Sequence, residues 1–227
     1  MKHSIWIAAA FFLVLASCSK EKELEPVLDT CDFINFKYYQ GARDTLGELS
    51  TDYLLIGVDK ANSDSEIATL ISSMTALDQN YAYTIHSSGQ YQFKEVPVKL
   101  RSSSSCVEIE QMMADIEQQP LVDYVHYTIR TDDCNSLIWE PLGDLCINSY
   151  GSSFFVKVLD ENDRSDLNRL IAETETELVK QNEFNPRWFE LRATKNAAGD
   201  ALEMANRFHE SGLFEYSEPG ISKYPVE

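Results

Sequence analysis

Four cysteines in the body of the chain, Cys31, Cys106, Cys134 and Cys146, are the side chains best suited to covalent chemistry. Four thiols allow three pairings. Cys134 and Cys146 flank the junction between two similar stretches of sequence, so a bridge closing that junction is the favoured pair. Closing a loop of that size contributes up to ~3 kcal/mol. No Cys-x-x-Cys occurs, which argues against redox cycling and zinc. Past the leader the histidines are His86, His126 and His209. None sits in the His-x-x-x-His or His-Glu-x-x-His spacing that puts two rings on one metal, so each reads as a surface or packed ring. A nucleophile elbow, a phosphate-cradling glycine loop and a dinucleotide fingerprint are all missing. Asp160-Glu161-Asn162-Asp163 starts like a calcium loop, but Ser165 stands where the glycine is required and the closing glutamate is absent, so helix capping is the better reading. With 37 acidic residues against 19 basic ones, neighbouring carboxylates are too common to mark an acid–base couple. Trp188, Phe189, Phe214 and Tyr216 could stack on a ligand, though core and inter-unit packing accounts for them more simply. The expectation is a non-enzyme with no metal and no cofactor.

Cys18 carries a different chemistry. Ile5 to Leu15 is an apolar run of signal-peptide length, too short to cross a bilayer, and it ends in Leu15-Ala16-Ser17-Cys18. That tetrad resembles the lipobox of bacterial lipoproteins, which implies cleavage before Cys18 and lipid attachment to its sulfur. Removing residues 1–17 takes away Lys2 and moves the formal charge from −18 to −19. Ser19-Lys20-Glu21 resembles the signal that sends lipoproteins to the outer surface of Bacteroidetes-type bacteria. The expected location is therefore the outer membrane, surface-exposed, or alternatively facing the periplasm. An exported chain can hold disulfides. Its acidity, with no cluster of Lys and Arg, excludes nucleic acid as a partner.

The elements that must position these residues occur twice. Leu54-Leu55-Ile56-x-Val58 reappears as Phe154-Phe155-Val156-x-Val158, and Ile67, Leu70, Ile71 as Leu167, Leu170, Ile171, both at an offset of 100. Ile109, Met112, Met113, Ile116 match Ala201, Met204, Ala205, Phe208, and Leu121 to Tyr124 match Leu213 to Tyr216, at an offset of 92. One duplicated unit with about eight extra residues in its first copy explains both.

In the first copy Tyr53–Val58, Tyr81–Ile85, Tyr91–Leu100 and Leu121–Ile129 read as strands. Helices follow Asn62–Ser65 and Ser102–Ser105, whose side chains suit helix N-termini. In the second copy the strands are Ser153–Leu159, Thr176–Lys180, Arg187–Ala193 and Leu213–Ser217. One helix is capped by Asp163 or Ser165 and the other spans Ala201–Glu210, stopped by Gly212. Phe36–Gln40 and Arg43–Ser50 suggest a hairpin turning at Gly41.

The order βαββαβ is the ferredoxin-like arrangement. The expected fold is thus α+β: two tandem ferredoxin-like units, each a four-stranded antiparallel sheet with two helices on one face. The expected layout is a signal peptide over 1–17, a charged tether over 18–35 and the first unit over 36–131. A junction over 132–151, the second unit over 152–220 and a tail over 221–227 follow. Helices can cover only one face of each sheet, which leaves the other face for a partner.

Asn182-x-Phe184-x-Pro186-x-Trp188-Phe189, then Asn196, then Ala201 to Asn206, Phe208 and Glu210 to Pro219 resemble the N-terminal, propeptide-like region of secreted subtilisin-family proteases of Bacteroides-type bacteria. Tyr38-Tyr39-x-Gly41 and the duplication fit that region too. The protease signatures around the catalytic Asp, His and Ser are missing, so the resemblance implies a prodomain without its protease, and no catalytic residue carries over. Such prodomains lay an open sheet face on the protease and thread their C-terminal segment through its cleft, acting as folding templates and inhibitors. The resemblance therefore implies a lipid-anchored module that inhibits or chaperones a subtilisin-like protease in trans, with Ile221, Tyr224, Val226 and Glu227 as the cleft segment. The alternative is a cell-surface adhesion or ligand-binding lipoprotein reusing the fold.

Overall fold

The computed structural model describes residues 31, 33–87, 92–135 and 143–226. Cys18, the Ser19, Lys20 and Glu21 signal and the last residue, Glu227, lie outside the described residues. The chain opens on a hairpin, β1 (Phe36–Tyr39) and β2 (Ala42–Thr45). Next come β3 (Leu49–Asp59), α1 (Asp64–Ser73), β4 (His86–Ser87), β5 (Phe93–Lys99), α2 (Cys106–Glu117) and β6 (Val122–Thr131). The same order repeats as β7 (Cys146–Val158), α3 (Ser165–Thr174), β8 (Glu177–Gln181), β9 (Trp188–Arg192), α4 (Ala201–Glu210) and β10 (Phe214–Pro225). The fold is mixed α+β; the described residues form four helices and one large antiparallel sheet ordered β4-β5-β3-β6-β7-β9-β8, β10 lying along the other side of β7.

Helix starts follow from side chains that satisfy the first free N–H groups. Ser63 with Glu66, Ser105 with Glu108 and Asp200 with Glu203 form reciprocal caps on α1, α2 and α4. The start of α3 departs from the expected cap. Arg164 occupies the cap position without a side-chain bond, and the Asp163 carboxylate instead accepts the Ser165 N–H at 2.9 Å.

Alternation along the strands sends every second side chain toward the helices. Leu54, Ile56 and Val58 pack with Ile67, Leu70, Ile109 and Ile116 in a first core. Phe154, Val156 and Val158 pack with Leu167, Phe189, Leu202 and Phe208 in a second. The opening hairpin precedes the first set of elements yet docks on the second: Asn206 Nδ2 donates to the Phe36 carbonyl at 2.9 Å and Tyr38 stacks on His209 at 4.0 Å.

Three expectations change. The junction over 132–151 is not a plain linker, and the two sheets are not separate. β7 begins at Cys146, and Ile129, Arg130 and Thr131 pair with Asn148, Ile147 and Cys146, fusing the strands into one sheet. Asn148 to Gly151 fall in the expected junction, but they are strand residues, and Ser149 is fully buried with its hydroxyl donating to the Tyr127 carbonyl at 2.8 Å.

Tyr81–Ile85 is not a strand. Gln79 Nε2 donates to the Met74 carbonyl at 2.9 Å and the Tyr81 N–H to the Asp78 carbonyl, which curls the chain, so that within 81–87 His86 and Ser87 are the residues that pair with β5.

The third change is the tail. β10 runs through Pro219 to Pro225, and Ile221 to Pro225 pair with Tyr150 to Cys146. Proline is tolerated there because β10 is an edge strand, where a missing N–H faces outward. Tyr224 and Val226 are buried with Leu55 and Ile147 in a third apolar cluster. That cluster lies on the face of β3 turned away from α1 and α2, so the chain's own end covers part of the first open sheet face.

Candidate functional site: a cleft where the sheet divides

Cys134 pairs with Cys146 and Cys31 with Cys106. The first bridge pins the start of β7 and the second ties the chain entry to α2. His126 is buried between Tyr124 and Tyr150, with ring centroids at 4.6 and 4.4 Å, and its Nδ1–H donates to the Tyr150 carbonyl at 2.7 Å. His86 meets the Tyr224 ring edge-on at 5.3 Å. Burial pushes its pKa below the usual histidine value, against a weaker upward pull from Glu95. The four aromatics of the second copy divide by face. Phe189 and Phe214 belong to the core, whereas Trp188 and Tyr216 stack on the opposite face at 6.0 Å with the Lys157 ammonium beside both rings. Among the described residues no three His, Cys, Asp or Glu side chains gather as a metal site. The cleft segment expected from the resemblance is not free: Ile221, Tyr224 and Val226 are held against β7, and Val226 N–H donates to the Leu145 carbonyl at 3.0 Å. Entering a protease cleft would require stripping that strand from the sheet.

Sequence reasoning missed the site that these contacts build. β6 pairs with the first residues of β7 and β9 with later ones. Between them the sheet parts, and a cleft of about 420 Å³ opens on the face away from the helices. Phe93, Glu95 and Tyr124 line it from the first copy, and Phe155, Glu190 and Arg192 from the second. Pockets of roughly 300–1,000 Å³ with a few convergent polar groups suit small ligands or single side chains.

Two glycines make the arrangement possible. The Tyr124 ring lies flat across β3 where Gly57 has no side chain; a Cβ there would sit 2.1 Å from the ring. Gly151 gives Glu95 the same latitude, since a Cβ would lie 2.6 Å from its Oε1. The Tyr124 hydroxyl donates to Glu95 Oε1 at 2.8 Å and the Tyr224 hydroxyl to Oε2 at 2.7 Å. Burial, and then the neighbouring Glu95 charge, drive the Tyr124 pKa well above the usual phenol value, so this ring stays a neutral donor. The Arg192 guanidinium lies over the Phe93 ring at 5.2 Å and faces Glu177 at 3.7 Å. Glu190 accepts from Ser153 at 3.1 Å and pairs with Lys180 at 3.2 Å.

No family model matches the chain, and no curated protein matches it. Among solved structures, the crystal structure of the small subunit of acetolactate synthase from Thermotoga maritima is similar at 13% identity and a TM-score of 0.25, covering 76% of this chain and 94% of that one. A likeness of that strength decides neither fold nor function. One signal could have pointed to the cleft. Phe93 and Glu95 alternate with the core residues Val96 and Val98 on β5 and so face away from the helices, but nothing local says what they meet there.

Proposed function

We propose that the chain is a non-catalytic, lipid-anchored binding protein built from two tandem ferredoxin-like units and held by Cys18 at the bacterial outer membrane. On this reading it faces the cell surface, and it engages a subtilisin-like protease in trans as inhibitor or chaperone. One observation carries the protein-binding reading. β8 is an edge strand with Leu178 and Val179 exposed, and the turn that follows it displays Phe184 at 97% exposure. An edge strand offers unpaired N–H and C=O groups to an extended partner, and a fully displayed phenyl ring offers an anchor for a pocket. Because the chain's own end is tied to β7, this surface takes the place of the cleft segment as the contact. Within residues 182–219 the resemblance to subtilase propeptides includes core positions such as Phe189, Met204 and Phe208.

Titrating the purified chain into a panel of subtilisin-like proteases tests the reading. Inhibition at or below micromolar concentration, lost in Phe184→Ser and Leu178→Asp with unchanged melting, is expected. No binding to any of them overturns it. A second reading, a cell-surface ligand-binding lipoprotein, is favoured by the cleft between β5 and β9.

A further inference from the structure

The carboxylates and cations around the cleft can be matched one against another. Glu190 is satisfied by Ser153 and Lys180. Arg192, only 13% exposed, is answered by Glu177 and by the fields of Asp59 and Asp123. Lys60, on the rim, faces Asp59, whose pKa is lowered chiefly by the Ala61 N–H and further by these two cations. Glu95 is left. Two tyrosine hydroxyls hold it in place, and among the described residues no Lys, Arg or His lies within ion-pair distance of it. A part-buried carboxylate costs free energy unless a partner compensates it. Two neutral hydroxyls orient this one without cancelling its charge. The walls beside it are Phe93, Tyr124 and Phe155, whose ring faces attract cations.

We propose that this cleft binds a cationic group on an apolar stem, an ammonium or guanidinium, with Glu95 as its counter-ion and the aromatic walls around the stem. Arg192 already adopts this mode inside the chain, with its guanidinium over Phe93. The group can come from a free basic small molecule or from a Lys or Arg side chain of a protein. The inference deepens the ligand-binding reading and does not depend on the protease reading. A failure here leaves the protease titration untouched, and failure there leaves this cleft untouched.

Calorimetric titration of the purified chain at low salt decides it. The probes are N-acetyl-arginine amide, the tripeptide acetyl-Gly-Arg-Gly-amide, and the citrulline counterpart of each. The arginine probes are expected to bind at least ten-fold more tightly than their citrulline counterparts. Glu95→Gln is expected to bring them to the citrulline level. Gly151→Ala, which drives a methyl group into the Glu95 carboxylate, is expected to weaken them in the same direction. Should Glu95→Gln fail to fold, the citrulline comparison on the unaltered chain still decides. Tripeptide binding ten-fold tighter than that of the capped amino acid assigns the cleft to a protein side chain, and equal binding assigns it to a free small molecule. The proposal is overturned by equal binding of citrulline and arginine, or by a folded Glu95→Gln that retains full affinity. Binding of N-acetyl-glutamate that is lost in Arg192→Gln would also overturn it.

Discussion

Each copy places an aromatic pair on the face away from the helices, and two positions make them differ: Gly57 is paired with Glu95 where Lys157 is paired with Trp188. In the first, Phe93 and Tyr124 meet edge-on at 5.4 Å; in the second, Trp188 and Tyr216 stack at 6.0 Å. Tyr124 and Tyr216 are equivalent at the offset of 92, and Gly57 and Lys157 at the offset of 100. With glycine beneath it, Tyr124 drops onto the strand, is 94% buried by its 6% exposure, and reaches Glu95. With lysine beneath it, Tyr216 stays half-buried, and the Lys157 ammonium sits between the rings and Glu215. The first copy thus gains a buried polar recess, and the second keeps an open amphipathic face. The residue under the ring and the residue beside it, Gly57 with Glu95 in one and Lys157 with Trp188 in the other, decide which.

The largest break in this contrast should come from Tyr224, the residue by which the chain's end covers the first copy alone. Tyr224→Ala removes a buried ring and one of the two donors on Glu95, and roughly 3 kcal/mol of stability should be lost. A chemical denaturation curve measures it. A cost under about 0.5 kcal/mol, the range for surface changes, would mean that this segment is not held as described.

Next in size is the glycine itself. Gly57→Ala should cost about 1–3 kcal/mol by overpacking against a ring that cannot retreat, whereas Lys157→Ala, which opens space and removes a part-buried ion pair and its contact with two rings, should cost about 1 kcal/mol. Adding Tyr124→Leu to Gly57→Ala should recover part of the loss, and strict additivity of the two changes would break the account.

The helix starts sharpen the comparison further. Ser105→Ala and Asp200→Ala should each cost about 1 kcal/mol. Asp200 should cost the more because it also accepts the Tyr150 hydroxyl at 2.7 Å. Asp163→Ala at the uncapped α3 should cost the least, and thermal melts of the three variants give the ranking.

The smallest effect concerns acidity. The His86 pKa is lowered by burial, so the folded state binds fewer protons there than the unfolded chain. Its contribution is complete above the unfolded value of about 6.5 and is lost as pH falls through the lowered folded value. Melting temperature should therefore fall between neutral and mildly acidic pH more steeply in the native chain than in His86→Gln. Parallel slopes would remove His86 from the account.

Most helices and strands between residues 54 and 217 were readable because period and caps are local properties, although Tyr81 to Ile85, read as a strand, is not one. Ile67, Leu70 and Ile71 mark a helix face whatever they touch, and Ser105 with Glu108 closes a helix start within four residues. The repeated order of elements in the two halves was readable for the same reason. The strand at Cys146 and the continuation of β10 past Pro219 were not. Asn148, Ser149 and Lys223 become strand residues only because β6, β7 and β10 supply hydrogen-bond partners from distant parts of the chain. The cleft was equally hidden: Glu95, Tyr124, Tyr224 and Arg192 lie far apart in sequence and on faces that no periodicity assigns to a core. Backbone and side-chain preferences act over a few residues and could be read directly. Which polar faces come together depends on how two sheets meet, and only the folded chain sets that.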